Sequence, residues 1–438
     1  MALTAAAVPL WIRLSLVHEC RSRVEQALAA IGRGASRDAC HEMKLQAALG
    51  TSLIYTRGPA GAAVGAAWTR AREIAESLDD AQYRLRSLWG LWSFHLNSGR
   101  YRVALALAKE FLALANKRPA RNDRLVGARM IGTAQHHLGH LKSARRYFEC
   151  ALADAVAAES GSFIAQFQLD QRVAARTSLA SVLWLQGFPD QAMVVAESSI
   201  KDARASSHVV SLCHALSLAA CPIALWVGDL VASEHYAGML LDLSTRHGLA
   251  AAQAGSHGYQ GVLLIKRGDV TSGLPLLRAS LKEVGEANIV FGYLTFVSEI
   301  AEAMGRAGQL ADALATIEEA LALTERIEER WLIVELLRVK GELLLMQDAS
   351  GAAAAAEDIF GQALDWARRQ GALSWELRAA TSLARLLRDQ GYSAEALALV
   401  QPVYDRFTEG FDTADLKATK ALLETLQELG VGVARAAP

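Results

Sequence analysis

The sequence predicts an all-α protein, a solenoid of about ten stacked helical hairpins with a period near 40 residues. Three observations carry that prediction. Glycine recurs at a near-constant interval behind apolar helical runs. Small residues recur at fixed distances on either side of each of these glycines. Alternating Val, Ile and Thr runs of the kind that mark strands are scarce.

The glycines are Gly99, Gly139, Gly187, Gly228, Gly268, Gly308 and Gly391, at intervals of 40, 48, 41, 40, 40 and 83. The last interval spans two periods with one glycine missing, and Gly58 extends the series 41 residues towards the N-terminus. Seven residues before each glycine stand Trp92, Gly132, Ala180, Cys221, Gly261, Ala301 and Ala384, mostly small. Five residues after it stand Ala104, Ala144, Ala192, Ser233, Gly273, Ala313 and Ala396, all small. Ile131–Leu152 (IGTAQHHLGHLKSARRYFECAL) and Ile300–Leu321 (IAEAMGRAGQLADALATIEEAL) are two such units. A helix that ends on glycine can adopt the left-handed C-cap without a Cβ penalty. A second helix then folds back, and small residues on both let the backbones approach. The apolar stripe of such a hairpin is buried only when neighbours stack on it.

The pattern resembles the tetratricopeptide repeat, with its small eighth residue, turn glycine and small twentieth residue, although the period is longer than the usual 34. The implied fold is an all-α, right-handed α-solenoid of about ten tetratricopeptide-like hairpins. Around Gly341 the register requires a turn about three residues longer, reaching Ala356 and Phe360. A longer link between Ala153 and Gln171 accounts for the interval of 48 and marks the expected place for a change in curvature. The chain thus divides into N-terminal hairpins over 1–158, central hairpins over 159–330, and C-terminal hairpins over 331–438. A capping helix over Asp412–Gly430 exposes Lys417, Lys420 and Glu424 and closes what is expected to be one continuous superhelix.

Composition agrees. At 438 residues the chain is too long for one ordinary core, and 52% hydrophobic against 21% charged residues excludes disorder. Only 8 prolines interrupt an Ala- and Leu-rich sequence. A net charge of −1 with interspersed signs gives no footprint for nucleic acid or an anionic membrane. The five cysteines (Cys20, Cys40, Cys150, Cys213 and Cys221) contain no CxxC pair and read as reduced, buried thiols of a cytoplasmic protein. The N-terminus lacks the basic segment of a signal peptide. Val209–Gly228 is apolar enough to span a bilayer, but it holds His214 and Pro222 and falls in register with the repeats, so it reads as a solenoid helix.

Several segments carry a more specific resemblance. They are WLIVELLRVKGELLL, SWELRAATSLARLLRDQG and VYDRFTEGFDTADLKATKALLETL in the C-terminal third, with LWIRLSLVHECRSRVEQALAAI and LWGLWSFHLNSGRYRVALALAKEFLALA before them. Together they resemble the helical-repeat tail of bacterial signal-transduction ATPases. In that family a winged-helix or adenylyl cyclase domain and a nucleotide-binding module precede the repeats. The resemblance implies a sensing or scaffolding role in transcriptional or second-messenger control, with an ATPase or winged-helix effector module as partner. The family's nucleotide site does not carry over, because no GxxxxGK[ST] loop is present. No cofactor is expected.

No catalytic constellation is legible. His136, His137 and His140 cluster, and His136 and His140 have the spacing of two ligands on one helical face. No Asp, Glu or Cys completes a metal set, so they read as turn and surface histidines. Cys213 and Cys221 with His214 read as core residues. His41-Glu42 lacks a zinc protease's second histidine, and no nucleophile elbow occurs. Glu318-Glu319 and the glutamates from Glu325 to Glu329 read as a solvated face. The candidate site is instead the concave wall, lined by the first helix of each hairpin. Its inward positions are Tyr55, Trp89, Arg129, Thr133, His136, Trp184, Trp226, Glu299, Glu302, Arg306, Arg338, Glu342, Arg385 and Arg388. The wall is aromatic in its N-terminal half and charged in its C-terminal half, and aromatic and arginine residues dominate binding hot spots. The alternative is that the tryptophans pack between hairpins, the reading favoured for any single one of them, and that the charges pair with one another. Two functions fit: a groove for a protein or peptide, or a small-molecule sensor whose curvature shifts on binding.

Overall fold

The computed structural model describes residues 2–14, 16–32, 38–118, 121–154, 164, 166–167, 169–286, 293–347 and 349–436. Among the described residues there are twenty-one helices and no strand. They pair as ten antiparallel hairpins. The first five are α1 (Ala2–Arg13) with α2 (Val17–Gly32), α3 (Ala39–Arg57) with α4 (Ala62–Ser77), α5 (Ala81–Asn97) with α6 (Tyr101–Ala115), α7 (Arg121–His137) with α8 (Leu141–Asp154), and α9 (Gln171–Leu185) with α10 (Pro189–Ala205). The sixth is α11 (Val209–Val227) with α12 (Leu230–Arg246). The last four are α13 (Ala250–Lys266) with α14 (Val270–Glu286), α15 (Tyr293–Arg306) with α16 (Leu310–Ile327), α17 (Ile333–Met346) with α18 (Ala352–Gln370), and α19 (Leu373–Asp389) with α20 (Ser393–Tyr404). A final helix, α21 (Ala414–Ala436), lies on the last hairpin and exposes Lys417, Lys420 and Glu424. Most of the Ala153–Gln171 link, where a change in curvature is expected, lies outside the described residues.

Every glycine of the periodic series has a positive φ, from 68° at Gly99 to 96° at Gly268. At the fourth hairpin the cap is complete: Gly139 N–H donates to His136 O at 2.9 Å and His140 N–H to Gln135 O at 2.9 Å, which satisfies the last carbonyls of α7. The small residues five positions on, Ala104, Ala144, Ala192, Ala313 and Ala396, are fully buried where the two helices cross. In the ninth hairpin the turn falls at Gly351, and Gly341 lies inside α17, where a Cβ would come within 2.4 Å of the Phe360 ring.

The apolar helix α11 is the one helix among the described residues long and apolar enough to cross a membrane. It is built into the solenoid between α10 and α12, and most of it is buried. Its middle, Leu216–Ala220, widens into a π-turn just before Pro222. Proline has no N–H to give and its ring crowds the carbonyl four residues back, so the wider turn keeps the helix continuous.

The superhelix closes tightly on itself. The turns of hairpins three to six pack against the loops of hairpins eight to ten and the start of α21. Gly99 meets Ile327, Gly139 meets Arg330 and Gln370, Gly187 meets Leu373, and Gly228 meets Ala414. Hydrogen bonds tie the same edge: Arg330 N–H to His137 O at 2.7 Å, Ser374 Oγ to Trp184 O at 2.5 Å, and Gly410 N–H to Asp190 Oδ2 at 3.0 Å. About five hairpins therefore complete one turn, and ten make two turns in direct contact. By contrast Gly268, Gly308 and Gly391, on the second turn, have no atom within 4 Å of a built Cβ.

This asymmetry is measurable. Gly187→Ala places a methyl 2.6 Å from Leu373 Cδ2, whereas Gly308→Ala at φ 78° strains only the backbone. Gly187→Ala is expected to cost about 1–3 kcal/mol more than Gly308→Ala in urea unfolding. Equal costs would mean that the two turns do not touch.

Candidate binding site on the inner wall

The first helices of the hairpins line the superhelix axis, and their inward residues form three levels. The upper level lies in the first turn. Arg129 of α7 is 5% exposed; its Nε donates to Gln171 Oε1 at 2.8 Å and its guanidinium lies 4.7 Å over the Trp92 ring. Burial without an acidic neighbour lowers its pKa to about 9. Burial, with Arg129 adding to it, also takes His214 of α11 down to about 4, so this imidazole is neutral. One helical turn on, Thr133 returns its hydroxyl to Arg129 O at 3.0 Å.

The middle level is aromatic and fills the axis where the two turns meet. Trp184 lies 4.7 Å from both Trp226 and Trp375, and Trp226 is 6.2 Å from Trp331. His136 joins them 5.2 Å from Trp331. Beside this layer a buried carboxylate, Glu329, accepts hydrogen bonds from Tyr101 Oη at 2.9 Å and Trp331 Nε1 at 2.8 Å, and lies 3.1 Å from His137 Nδ1. The Tyr101 and His137 rings stack at 4.6 Å, and burial together with Glu329 raises the Tyr101 phenol well above its ordinary pKa. Two expectations are corrected here. His136 and His137 are buried, not turn and surface residues, because the second turn covers the end of α7. Glu329 leaves the solvated face expected for the Glu325–Glu329 run, because the loop after α16 tucks under the turns of hairpins three and four. Cys150 likewise departs from the buried thiols expected: it is exposed on α8.

The lower level is a charged cleft of about 180 Å³ in the second turn. Arg338 of α17 contacts Glu335 at 2.8 Å and both Glu302 and Glu342 at 3.7 Å. Arg378 of α19 contacts Asp415 at 2.7 Å and Glu335 at 3.3 Å, reaches Trp226 O at 3.4 Å, and lies over the Trp184 and Trp375 rings. Lys266 pairs with Glu299 at 2.9 Å. Burial alone would raise the Glu335 pKa, but Arg338 and Arg378 outweigh it and hold this carboxyl down at about 2. Thr381, Ser382 and Thr419 complete the lining, with Ser382 Oγ donating to Glu342 Oε1 at 2.5 Å. Arg385, also in the lining, is exposed and has no ion-pair or hydrogen-bond partner among the described residues.

The structure thus gathers Glu302, Arg338 and Arg385 at one cleft, with Glu342, Glu299 and Arg306 at its edge through their contacts to Arg338 and Ser382, to Lys266 and to Glu302. Arg388 is turned to its neighbour Asp389 at 2.8 Å. Trp89 is buried against Trp68 and Phe167, and the side chain of Tyr55 lies outside the described residues. Lys266, Glu335, Arg378 and Asp415 were not singled out from sequence. For Glu335 and Arg378 the signal was present: Glu335, Arg338 and Glu342 recur at helical spacing, as do Arg378, Ser382 and Arg385. Among the described residues no group of three His, Cys, Asp or Glu side chains could hold a metal ion.

No family model matches the chain. An uncharacterized protein of Rhizobium meliloti (strain 1021) is 24% identical over 398 residues, covering 88% of this chain and 38% of that protein. The chain therefore spans well under half the length of this relative. Among solved structures, a Rap protein complexed with Competence and Sporulation Factor aligns over 90% of this chain and 98% of its own, with 13% identity and a TM-score of 0.53. The fold is tetratricopeptide-like. A signal-transduction ATPase with a tetratricopeptide repeat sensor from Pyrococcus horikoshii aligns over 91% of this chain and 56% of its own, with 12% identity and a TM-score of 0.43.

Two outcomes follow. Glu329→Ala strands the Tyr101 hydroxyl and the Trp331 indole, at about 1–3 kcal/mol for each donor, so a clear fall in melting temperature is expected. The second concerns acid. Because the folded pKa of Glu335 lies below its ordinary 4.5, its contribution to stability is complete above pH 4.5 and is lost as pH falls towards 2. Stability measured by urea unfolding across that window should therefore fall less steeply in Glu335→Gln than in the wild type.

Proposed function

We propose that this chain is a non-catalytic binding or sensor module of a bacterial signal-transduction regulator, and that it holds a segment of a protein or peptide partner at the charged cleft of its second turn. The observation that carries this reading is Arg385. Lys266, Arg338 and Arg378 of the cleft are already paired with carboxylates, whereas Arg385 faces solvent with its donors unused. An arginine of this kind offers a planar fork to an incoming carboxylate. The ion pairs behind it fix the wall, so an acidic side chain or chain end meets a preorganised surface rather than a flexible one.

Size favours a partner segment over an enclosed metabolite. A cleft of about 180 Å³ is smaller than the 300–1,000 Å³ typical of small-molecule sites. The greater length of the Rhizobium relative accords with reading the repeats as one module of a larger protein; the effector partner proposed for it, an ATPase or winged-helix module, rests on the sequence resemblance. The structurally similar Rap protein is complexed with Competence and Sporulation Factor, a use of this architecture that accords with ligand recognition by the solenoid.

The reading is tested with a peptide array scanned against purified protein. Arg385→Ala is expected to weaken binding of acidic peptides at least tenfold while shifting the melting temperature by less than about 1 °C, since the residue is exposed and unpaired. Acidic peptides that bind wild type and variant equally would refute it.

A further inference from the structure

Arg129 poses a separate physical problem, independent of the charged cleft. A buried ion is costly unless it is paired, and here the guanidinium is 5% exposed with no carboxylate partner among the described residues. Its single hydrogen bond, from Nε to Gln171 Oε1, goes to a neutral amide and leaves Nη1 and Nη2 unused. One face of the guanidinium is covered by the Trp92 ring, and the in-plane edge carrying Nη1 and Nη2 is where the oxygens of a ligand accept hydrogen bonds. The surroundings are rich in donors. The indole N–H of Trp92 is buried without an acceptor, and the neighbouring imidazole of His214 is neutral, so no anion is supplied from within. The contrast with the second turn is direct: there Arg338 and Arg378 are each met by at least two carboxylates.

We infer that Arg129, with Trp92 and Gln171, forms an oxyanion-binding site on the inner wall of the first superhelical turn. The bound group is a carboxylate or an inorganic oxyanion. Its two oxygens accept from Nη1 and Nη2 in the bidentate geometry that guanidinium offers. This site is built on α5, α7 and the start of α9, whereas the charged cleft is lined by α13, α15, α17, α19 and α21, so the two share no residue.

The probes are acetate and phosphate, each compared with chloride at matched ionic strength, and the readout is thermal unfolding of the full chain. A ligand that binds only the folded state raises the melting temperature in a saturable manner. Wild type is expected to show that rise with at least one oxyanion, and Arg129→Met, which keeps the apolar stem, is expected to show none. In chloride alone Arg129→Met should melt no lower than wild type, because it removes an unpaired buried charge. Arg129→Lys, which keeps the charge but loses the fork, should retain a weakened response. A response to acetate and not to phosphate assigns a carboxylate; the reverse assigns a phosphate-like ion. The inference fails if both probes act alike on wild type and Arg129→Met. It also fails if Arg129→Met melts well below wild type in chloride, which would make the guanidinium a structural element bound to Gln171 and Trp92.

Discussion

The contact between the first and second superhelical turns organises this molecule. An open solenoid contacts only its nearest neighbours, and its inner surface stays wet. Here the turn glycines of hairpins three to six lie directly on loops about 190–230 residues further along, close enough that a methyl group at Gly187 would collide with Leu373. That approach brings Trp184 and Trp226 from one turn against Trp331 and Trp375 from the other, and it buries Glu329 beneath Tyr101, His137 and Trp331. Non-local contacts thus add cooperativity to an architecture whose stability is ordinarily a sum over adjacent units.

Closure also sets the electrostatics of the wall. The aromatic layer at the junction separates two environments with opposite solutions to the same problem of buried charge. Below it, Glu335, Arg338, Arg378 and Asp415 neutralise one another in a chain of ion pairs that runs from α17 through α19 to α21. Above it, Arg129 is stacked on an indole and bonded to an amide. Low dielectric strengthens interactions at both levels, so each is selective about what may replace water there.

Much of the fold was legible because it is local. A glycine that ends a helix and a small residue five positions on report φ and helix separation at their own positions, and both recur along the chain. The charged wall was half legible: Arg338, Glu342 and Arg385 follow the inward phase of their helices, but Lys266, near the end of α13, and Asp415, on the closing helix, join only through tertiary placement. The burial of Glu329 was not legible. It sits in a run of glutamates that would face solvent on any isolated hairpin, and what covers it is Tyr101, 228 positions earlier in the chain. The pitch that brings them together follows from the summed rotation of five hairpins, to which no single motif corresponds.

Each hairpin rotates the next by about a fifth of a turn, so the pairing of Gly99 with Ile327, Gly187 with Leu373 and Gly228 with Ala414 holds only for a fixed number of intervening units. Excising or duplicating one hairpin between them would carry every later loop roughly 70° around the axis and leave tryptophans facing the wrong partners. Repeat proteins commonly lengthen and shorten by whole modules; this one is indexed like a screw thread and can change length freely only beyond its interlocked span.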